Sequence, residues 1–405
     1  MALPIHSKAQ DHLPPKVLRF IVYNLYITCV QDRNLDVHFC SLNDPCCVAW
    51  SGLLPLFRAR AVSSTWNEAI LEISTLKEHL FFRRVEDAYY PHPWHINTKV
   101  RKGVLLNRYR VYRTISSETG TGVYKAYDFG HPAGCSKADR VIIKAWLSAT
   151  DRECVVEQQV YEIIRTPPVS GTPVVHSSDY DKEHGVFALV LQRLGPSLEE
   201  VLELLPKNQR FDDRMILAVA IQMLDRYKDI HARGIIHNGI KPGNICLPPY
   251  DSGVETQLYA IDFGLSFLLD AAATEFLPSA HRADTVGNRS YLSALGHHGI
   301  TQSQRDDLES LAYLLSSLRH GDLPWDPPKI WRLKMATPAS VIFRGMDQSY
   351  FDFWKDVKGL AFGEAPDYDT MRKRFEDCWK QGGYGDVPGR VDWWEELALY
   401  VNSSL

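Results

Sequence analysis

Two short runs hold the residues best suited to chemistry. The first is His237-Asn238-Gly239-Ile240-Lys241-Pro242-Gly243-Asn244, and the second is Ile261-Asp262-Phe263-Gly264. Asp262 is the sharpest of these: a carboxylate after an apolar stretch and before Phe-Gly has little structural use beyond holding a cation. A third run, Val141-Ile142-Ile143-Lys144, reads as a strand that ends in a cation. The helix expected after it carries an apolar stripe at Val156, Val160 and Ile163/Ile164. Glu157 falls on the adjacent face, where it can pair with Lys144. Gly120 and Gly122 occupy a turn between two alternating strands, Tyr109-Arg110-Val111-Tyr112-Arg113 and Val123-Tyr124-Lys125-Ala126-Tyr127.

The elements around these runs are ordinary for a globular chain. Phe187-Ala188-Leu189-Val190-Leu191 reads as a buried strand, and Ser197 with Glu200 three residues on marks a helix start. Length, 405 residues, allows two or three domains. Hydrophobic content of 45% and charged content of 23% suit a packed protein. The net charge of −4 gives no polybasic argument for nucleic acid or anionic lipid. No eighteen-residue apolar run exists, so neither a membrane span nor a membrane partner is expected. The N-terminus lacks the apolar core of a signal peptide, and a cytoplasmic or nuclear location is the expectation. The eight cysteines are scattered without zinc-site spacing and read as buried thiols in a reducing compartment. Two glycosylation-type matches, at Asn288 and Asn402, carry no weight without secretion. A composition shift near 86–100 marks a linker, where His92 and His95 read as bystanders in a Pro-rich stretch.

The two opening runs resemble the catalytic loop and the metal-binding loop of a protein kinase. A kinase catalytic loop runs His-Arg-Asp, four residues, then Asn, with Lys two places after the Asp. His237, Lys241 and Asn244 match, but Asn238 stands for the Arg and Gly239 for the Asp. In kinases that Asp accepts the proton of the substrate hydroxyl. Glycine has no side chain with which to do so.

The resemblance then narrows to the casein kinase I family. Leu194-Gly195-Pro196-Ser197-Leu198-Glu199 is a mark of that family, as is the run 302–311 through Arg305-Asp306-Asp307-Leu308-Glu309. So are Leu323-Pro324-Trp325, Lys334-Met335-Ala336-Thr337-Pro338, and the closing stretch from Pro366 to Trp393. The match runs from roughly residue 108 to the end. It implies an α+β, bilobal protein-kinase fold over 101–405, with a β-rich small lobe at 101–193 and an α-helical large lobe at 194–405.

The resemblance also implies roles. Lys144 would hold the first two phosphates of ATP, with Glu157 orienting it. Asp262 and Asn244 would hold Mg²⁺, and Lys241 would sit by the terminal phosphate. Leu191 takes the gatekeeper place, and Gln192 to Leu194 line the hinge where adenine bonds to backbone. His237 and Phe263 would stack in the core, and Asp306 would anchor the catalytic-loop backbone. Departures accompany these matches. Where the nucleotide loop should hold three glycines stand Ser116, Glu118 and Thr121, with Gly120 and Gly122 one residue off. ATP and Mg²⁺ binding is therefore expected to be weakened. Ser290 stands where the family has an anion-binding Arg. The expectation is an impaired kinase, a pseudokinase acting as a binding module; the alternative is an active or weakly active Ser/Thr kinase.

The first hundred residues follow another pattern. Leu13-Pro14-Pro15 opens an apolar helical stripe at Val17, Leu18, Ile21, Val22 and Leu25. Val62-Ser63-Ser64-Thr65-Trp66 follows after an insertion. This resembles an F-box, which implies a small α-helical domain in 1–100. It also implies docking onto the adaptor of a cullin-RING ubiquitin ligase through residues 12–72.

Overall fold

The structure, a computed structural model, describes residues 96, 100, 103–118, 120–130, 140–205, 210–249, 252–254, 256–269, 288–298, 301–325 and 330–402. The F-box-like segment at 12–72 lies outside these residues, as does most of the expected linker.

The chain is mixed α+β, with the sheet first and the helices after it. Six antiparallel strands form one sheet in the order β1-β2-β3-β4-β6-β5. They are β1 (Val104–Leu105), β2 (Tyr109–Ser117), β3 (Thr121–Asp128), β4 (Arg140–Trp146), β5 (Val175–Asp181) and β6 (Val186–Gln192). Side-chain alternation divides the sheet into two faces. Val186, Ala188 and Val190 join one apolar cluster with Val141, Ile143 and Ala145. Phe187, Leu189 and Leu191 join the larger core on the other face. Burial on both sides is why β6 is apolar from Val186 through Leu191.

Helix α1 (Arg152–Ile164) lies between β4 and β5 and is capped by Asp151, whose side chain accepts from the Glu153 and Cys154 amides. Its buried residues are Cys154, Glu157, Val160, Tyr161 and Ile164. Glu157 thus lies in the buried stripe itself, not on the adjacent face that the apolar pattern suggested. Val156 and Ile163 are only half-buried.

The second half is helical. It comprises α2 (Leu198–Leu204), α3 (Asp213–His231), α4 (Gln304–His320), α5 (Ile330–Ala336), α6 (Ala339–Ile342), α7 (Gln348–Gly359), α8 (Tyr368–Gln381) and α9 (Trp393–Asn402). Short two-residue strands β7 (Ile235–Ile236), β8 (Ile245–Cys246), β9 (Tyr259–Ala260) and β10 (Phe267–Leu268) pair as β7 with β10 and β8 with β9. These pairs fix the loops that carry Gly239 and Asp262.

Helix α4 is buried on every side, from Asp306 through Leu318. Its three acids survive there because each is bonded. Glu309 Oε1 accepts from the Ala294 amide at 2.8 Å and from the Tyr313 hydroxyl at 2.6 Å. Glu309 Oε2 meets Lys358 Nζ at 3.0 Å. Among the described residues, no helix is long and apolar enough to cross a membrane.

Candidate functional site

Lys144, Glu157 and Asp262 converge. Lys144 Nζ donates to Asp262 Oδ1 at 2.6 Å and lies 2.6 Å from Glu157 Oε2. The strand register explains the lysine's position. Lys144 pairs with Val123 and Leu189, and Ile142 with Leu191. Lys144 therefore points from the sheet face that meets α1. Gly264 lies beside the cluster, where a Cβ would be in ordinary contact at 3.4 Å from Glu157 Oε2 and 3.5 Å from Lys144 Nζ.

The charges shape one another. Burial would lower the Lys144 ammonium, but Glu157 and Asp262 outweigh it and hold it above its ordinary value. Burial pushes the Glu157 carboxyl up to about 7, and the Lys144 charge limits the rise. Burial also works against the Asp262 carboxylate, yet Lys144 holds it below the usual range. Glu153 is a further carboxylate beside this cluster, raised first by burial. It lies four residues before Glu157, one turn along the same helix face. That spacing is the mark it leaves in the sequence.

A second group meets the first at Asp262. Asn238, Gly239, Lys241, Asn244, Asp262 and Asn288 line a cleft of about 340 Å³, counting the part open to solvent. Asn244 Nδ2 donates to Gly239 O at 2.8 Å, which leaves the amide oxygen as the acceptor for a cation. Lys241 precedes the tight turn Pro242–Asn244, and its charge helps to lower Asp262. Among the described residues lining this cleft, Asp262 is the one carboxylate, and its Oδ1 is already held by Lys144. Among the described residues lining the cleft, no other carboxylate stands in for the side chain that Gly239 lacks.

Asn238 contributes through its backbone. Its φ is +59° and that of Asp262 is +66°. Asn and Asp tolerate this left-handed region better than most residues. The Asn238 side chain also donates to Leu265 O at 3.2 Å, tying the two loops together.

One expected role moves by a residue. Asp307, not Asp306, anchors the loop backbone. Asp307 Oδ2 accepts from the His237 amide at 2.7 Å, and Oδ1 accepts from the Asn238 amide at 2.8 Å. Asp307 Oδ2 also meets His231 Nε2 at 2.8 Å. Asp306 instead caps α4 through the Ser303 amide at 2.9 Å and accepts from Ser293 Oγ at 2.8 Å. Neighbouring helix positions point about 100° apart, so only one of the two faces the loop.

His237 and Phe263 are core residues, as expected. Their rings lie 4.9 Å apart, and Tyr161 meets Phe263 at 5.3 Å. Burial keeps His237 below its ordinary value, so it is neutral. Its Nδ1 accepts from the Gly239 amide at 3.2 Å and its Nε2 donates to Ile261 O at 3.2 Å. Tyr227 continues the aromatic column at 5.9 Å from His237.

The remaining candidates lie at opposite ends of the sheet, Gly120 and Gly122 beside the end of β4 and Leu191 and Leu194 beside its start. Gly120 O accepts from the Leu147 amide at 2.9 Å, and a Cβ on Gly120 would meet nothing. Gly122 pairs with Ala145, next to Lys144, and a Cβ on it would overlap the Tyr124 hydroxyl at 2.3 Å. Its glycine is explained by Tyr124 packing. Leu191 is buried, and Leu194 is half-buried just before Gly195. The Gly195 amide donates to Leu247 O at 3.1 Å, which fixes that segment against β8.

Chemically, the arrangement offers two ammonium groups for phosphate and two oxygens for a hard cation. Mg²⁺ takes one or two protein carboxylates and fills its shell with water and phosphate. Asp262 and Asn244 fit that demand, since Asp262 Oδ2 and the Asn244 amide oxygen both remain beside the cleft. Compared with models of known protein families, the chain matches none.

Proposed function

We propose that the region from about residue 101 onward is a casein kinase I-like protein kinase domain with impaired phosphoryl transfer, acting by binding a protein partner. One observation carries this reading. The Lys144–Glu157–Asp262 cluster is assembled, while among the described residues lining the cleft at Gly239 the one carboxylate is Asp262, which Lys144 holds.

In this reading Lys144 and Lys241 bind phosphate oxygens, Glu157 orients Lys144, and Asp262 with Asn244 would hold Mg²⁺. That ion, when bound, would neutralise charge on the phosphates. A substrate alcohol placed beside Gly239 would find no acceptor for its proton. A positioned base contributes roughly 10²–10⁴ in rate. Its loss leaves a slow enzyme rather than none, because phosphoryl transfer depends mainly on positioning and charge stabilisation. The assembled cluster therefore also supports the second reading, a weakly active Ser/Thr kinase.

Docking of residues 12–72 onto a cullin-RING ligase adaptor is proposed on the Leu13-Pro14 and Val62-Ser63-Ser64-Thr65-Trp66 pattern alone. It would make the kinase-like domain a substrate receptor. Co-purification with the adaptor tests it, and no binding at micromolar concentration refutes it.

The nucleotide part is tested by thermal unfolding of wild type and Lys144→Ala in MgATP. At about a hundredfold excess over Kd, binding adds about 2.7 kcal/mol, a Tm rise of several degrees. Wild type should show the rise and Lys144→Ala should lose it. No shift in either protein at millimolar MgATP refutes nucleotide binding.

A further inference from the structure

A second cleft, of about 590 Å³ counting the part open to solvent, lies among α3, α7 and α8. It shares no lining residue with the cleft at Gly239. Asp213 opens α3 and Asp347 caps α7, and both carboxylates reach it. Tyr350, Cys378, Gln381 and Tyr384 complete the polar lining, and Leu217 is buried beneath.

Capping accounts for part of this chemistry. Asp347 Oδ1 accepts from the Ser349 amide at 2.8 Å. Asp213 meets Arg319 at 3.6 Å, an exposed contact of little strength. Capping does not account for Tyr350. That residue is 3% exposed, and its hydroxyl has no hydrogen-bond partner in the structure. Its ring packs against Phe375 at 5.1 Å. The titratable groups that act on its hydroxyl are Cys378, Asp213, Asp347 and Tyr384, all of them lining residues. Tyr350 is itself a lining residue, so this unpaired hydroxyl belongs to a side chain of the cleft wall. A buried hydroxyl without a partner is costly and calls for one.

The acceptors select the ligand. Two carboxylates and a phenol oxygen suit a cation with several N–H donors. Burial and then Asp347 push the Cys378 thiol up to about 11, so it adds no charge at neutral pH. Among the described residues, no three His, Cys, Asp or Glu side chains converge as a metal site. A polyatomic cation remains. Guanidinium presents five donors in a plane and packs well against aromatic rings, which ammonium does not match. We propose that this cleft receives the guanidinium of an arginine side chain presented by a partner protein. The two aspartates repel the carboxylate of free arginine, which favours an arginine within a polypeptide. This inference does not depend on the kinase reading.

The test uses the full chain and acetyl-arginine-amide, with binding followed by calorimetry or ligand-observed NMR. A Kd on the order of 1 mM is expected for so small a ligand. Acetyl-citrulline-amide has nearly the same shape without the charge and should not bind. Asp347→Asn keeps an N-cap while removing the charge, and should weaken binding at least about tenfold. Tyr350→Phe should weaken it about threefold while leaving Tm unchanged. Equal binding of the citrulline analogue, no saturable binding, or undiminished binding to Asp347→Asn overturns the proposal. So does a fall of several degrees in the Tm of Tyr350→Phe, which would show the hydroxyl bonded within the fold. Tighter binding of free arginine than of the capped form overturns the polypeptide source.

Discussion

Replacing Gly239 with Asp asks whether one absent carboxylate limits the chemistry. The backbone there is not in the left-handed region, so a side chain brings no conformational strain. A Cβ would lie 3.3 Å from His237 Nδ1 and 3.4 Å from Asn244 Nδ2. Both neighbours need to give by only a few tenths of an ångström. Crowding costs about 1–3 kcal/mol, and the stiffer unfolded chain returns about 0.4–1 kcal/mol. The variant should therefore fold, with a net loss of no more than about 2.6 kcal/mol.

The gain in rate is larger. A positioned base is worth about 3–5 kcal/mol of barrier, or roughly 10²–10⁴ in rate. Transfer from radiolabelled ATP, to a generic protein acceptor and to the chain itself, measures it. Wild type, Gly239→Asp and Gly239→Asp with Asp262→Asn should be compared at saturating MgATP. The single variant should gain at least about a hundredfold, and the double variant should lose the gain. If Gly239→Asp folds and binds MgATP as wild type does, yet gains less than about tenfold, the missing base is not the limiting defect. Rapid transfer by wild type that Asp262→Asn abolishes would refute the impairment outright.

Two further outcomes follow from the site. Asp307→Asn turns an acceptor of the His237 and Asn238 amides into a partial donor, so hydrogen exchange at 237–239 should quicken by at least about tenfold, as one lost bond to a charged group implies. Asp306→Asn should leave those amides protected, and equal loosening by both variants refutes the assignment to Asp307. Glu157 has its carboxyl at 4.5 ordinarily and at about 7 in the folded protein. The folded state then binds more protons across that window, so this group's contribution to stability falls as pH rises through it. Glu157→Gln removes the slope, and its stability relative to wild type should climb between pH 4.5 and pH 7. A difference that stays flat across that range, read by denaturant unfolding, refutes the raised carboxyl.

Much of the candidate site was legible because its signals are local. Lys144 ends an apolar strand, Glu157 follows at helix spacing, and Asp262 sits between an apolar stretch and Phe-Gly. The structure brings these three within 2.6 Å contacts. What misled was equally local. The apolar stripe of α1 placed Glu157 beside the core because a carboxylate reads as solvated. Its burial depends on a lysine 13 residues earlier in the chain, on a neighbouring strand. Asp306 and Asp307 are adjacent and chemically identical, so no sequence pattern says which faces the loop. Gly122 sits one residue off the expected nucleotide-loop glycine, and its neighbour in space is the Tyr124 hydroxyl.

The sequence by itself determined the order of strands and helices, the titratable residues available and the absence of a side chain at 239. These follow from periodicity, turn chemistry and residue identity, which act over a few residues. Only the tertiary structure decided which acids are structural and which face a cleft. It placed Asp262 in contact with Lys144, gave Asp307 the two loop amides, and put Tyr350 in one cleft with Asp213. Partners of that kind lie tens to more than a hundred residues apart, and helix rotation and loop conformation settle them only when the core closes.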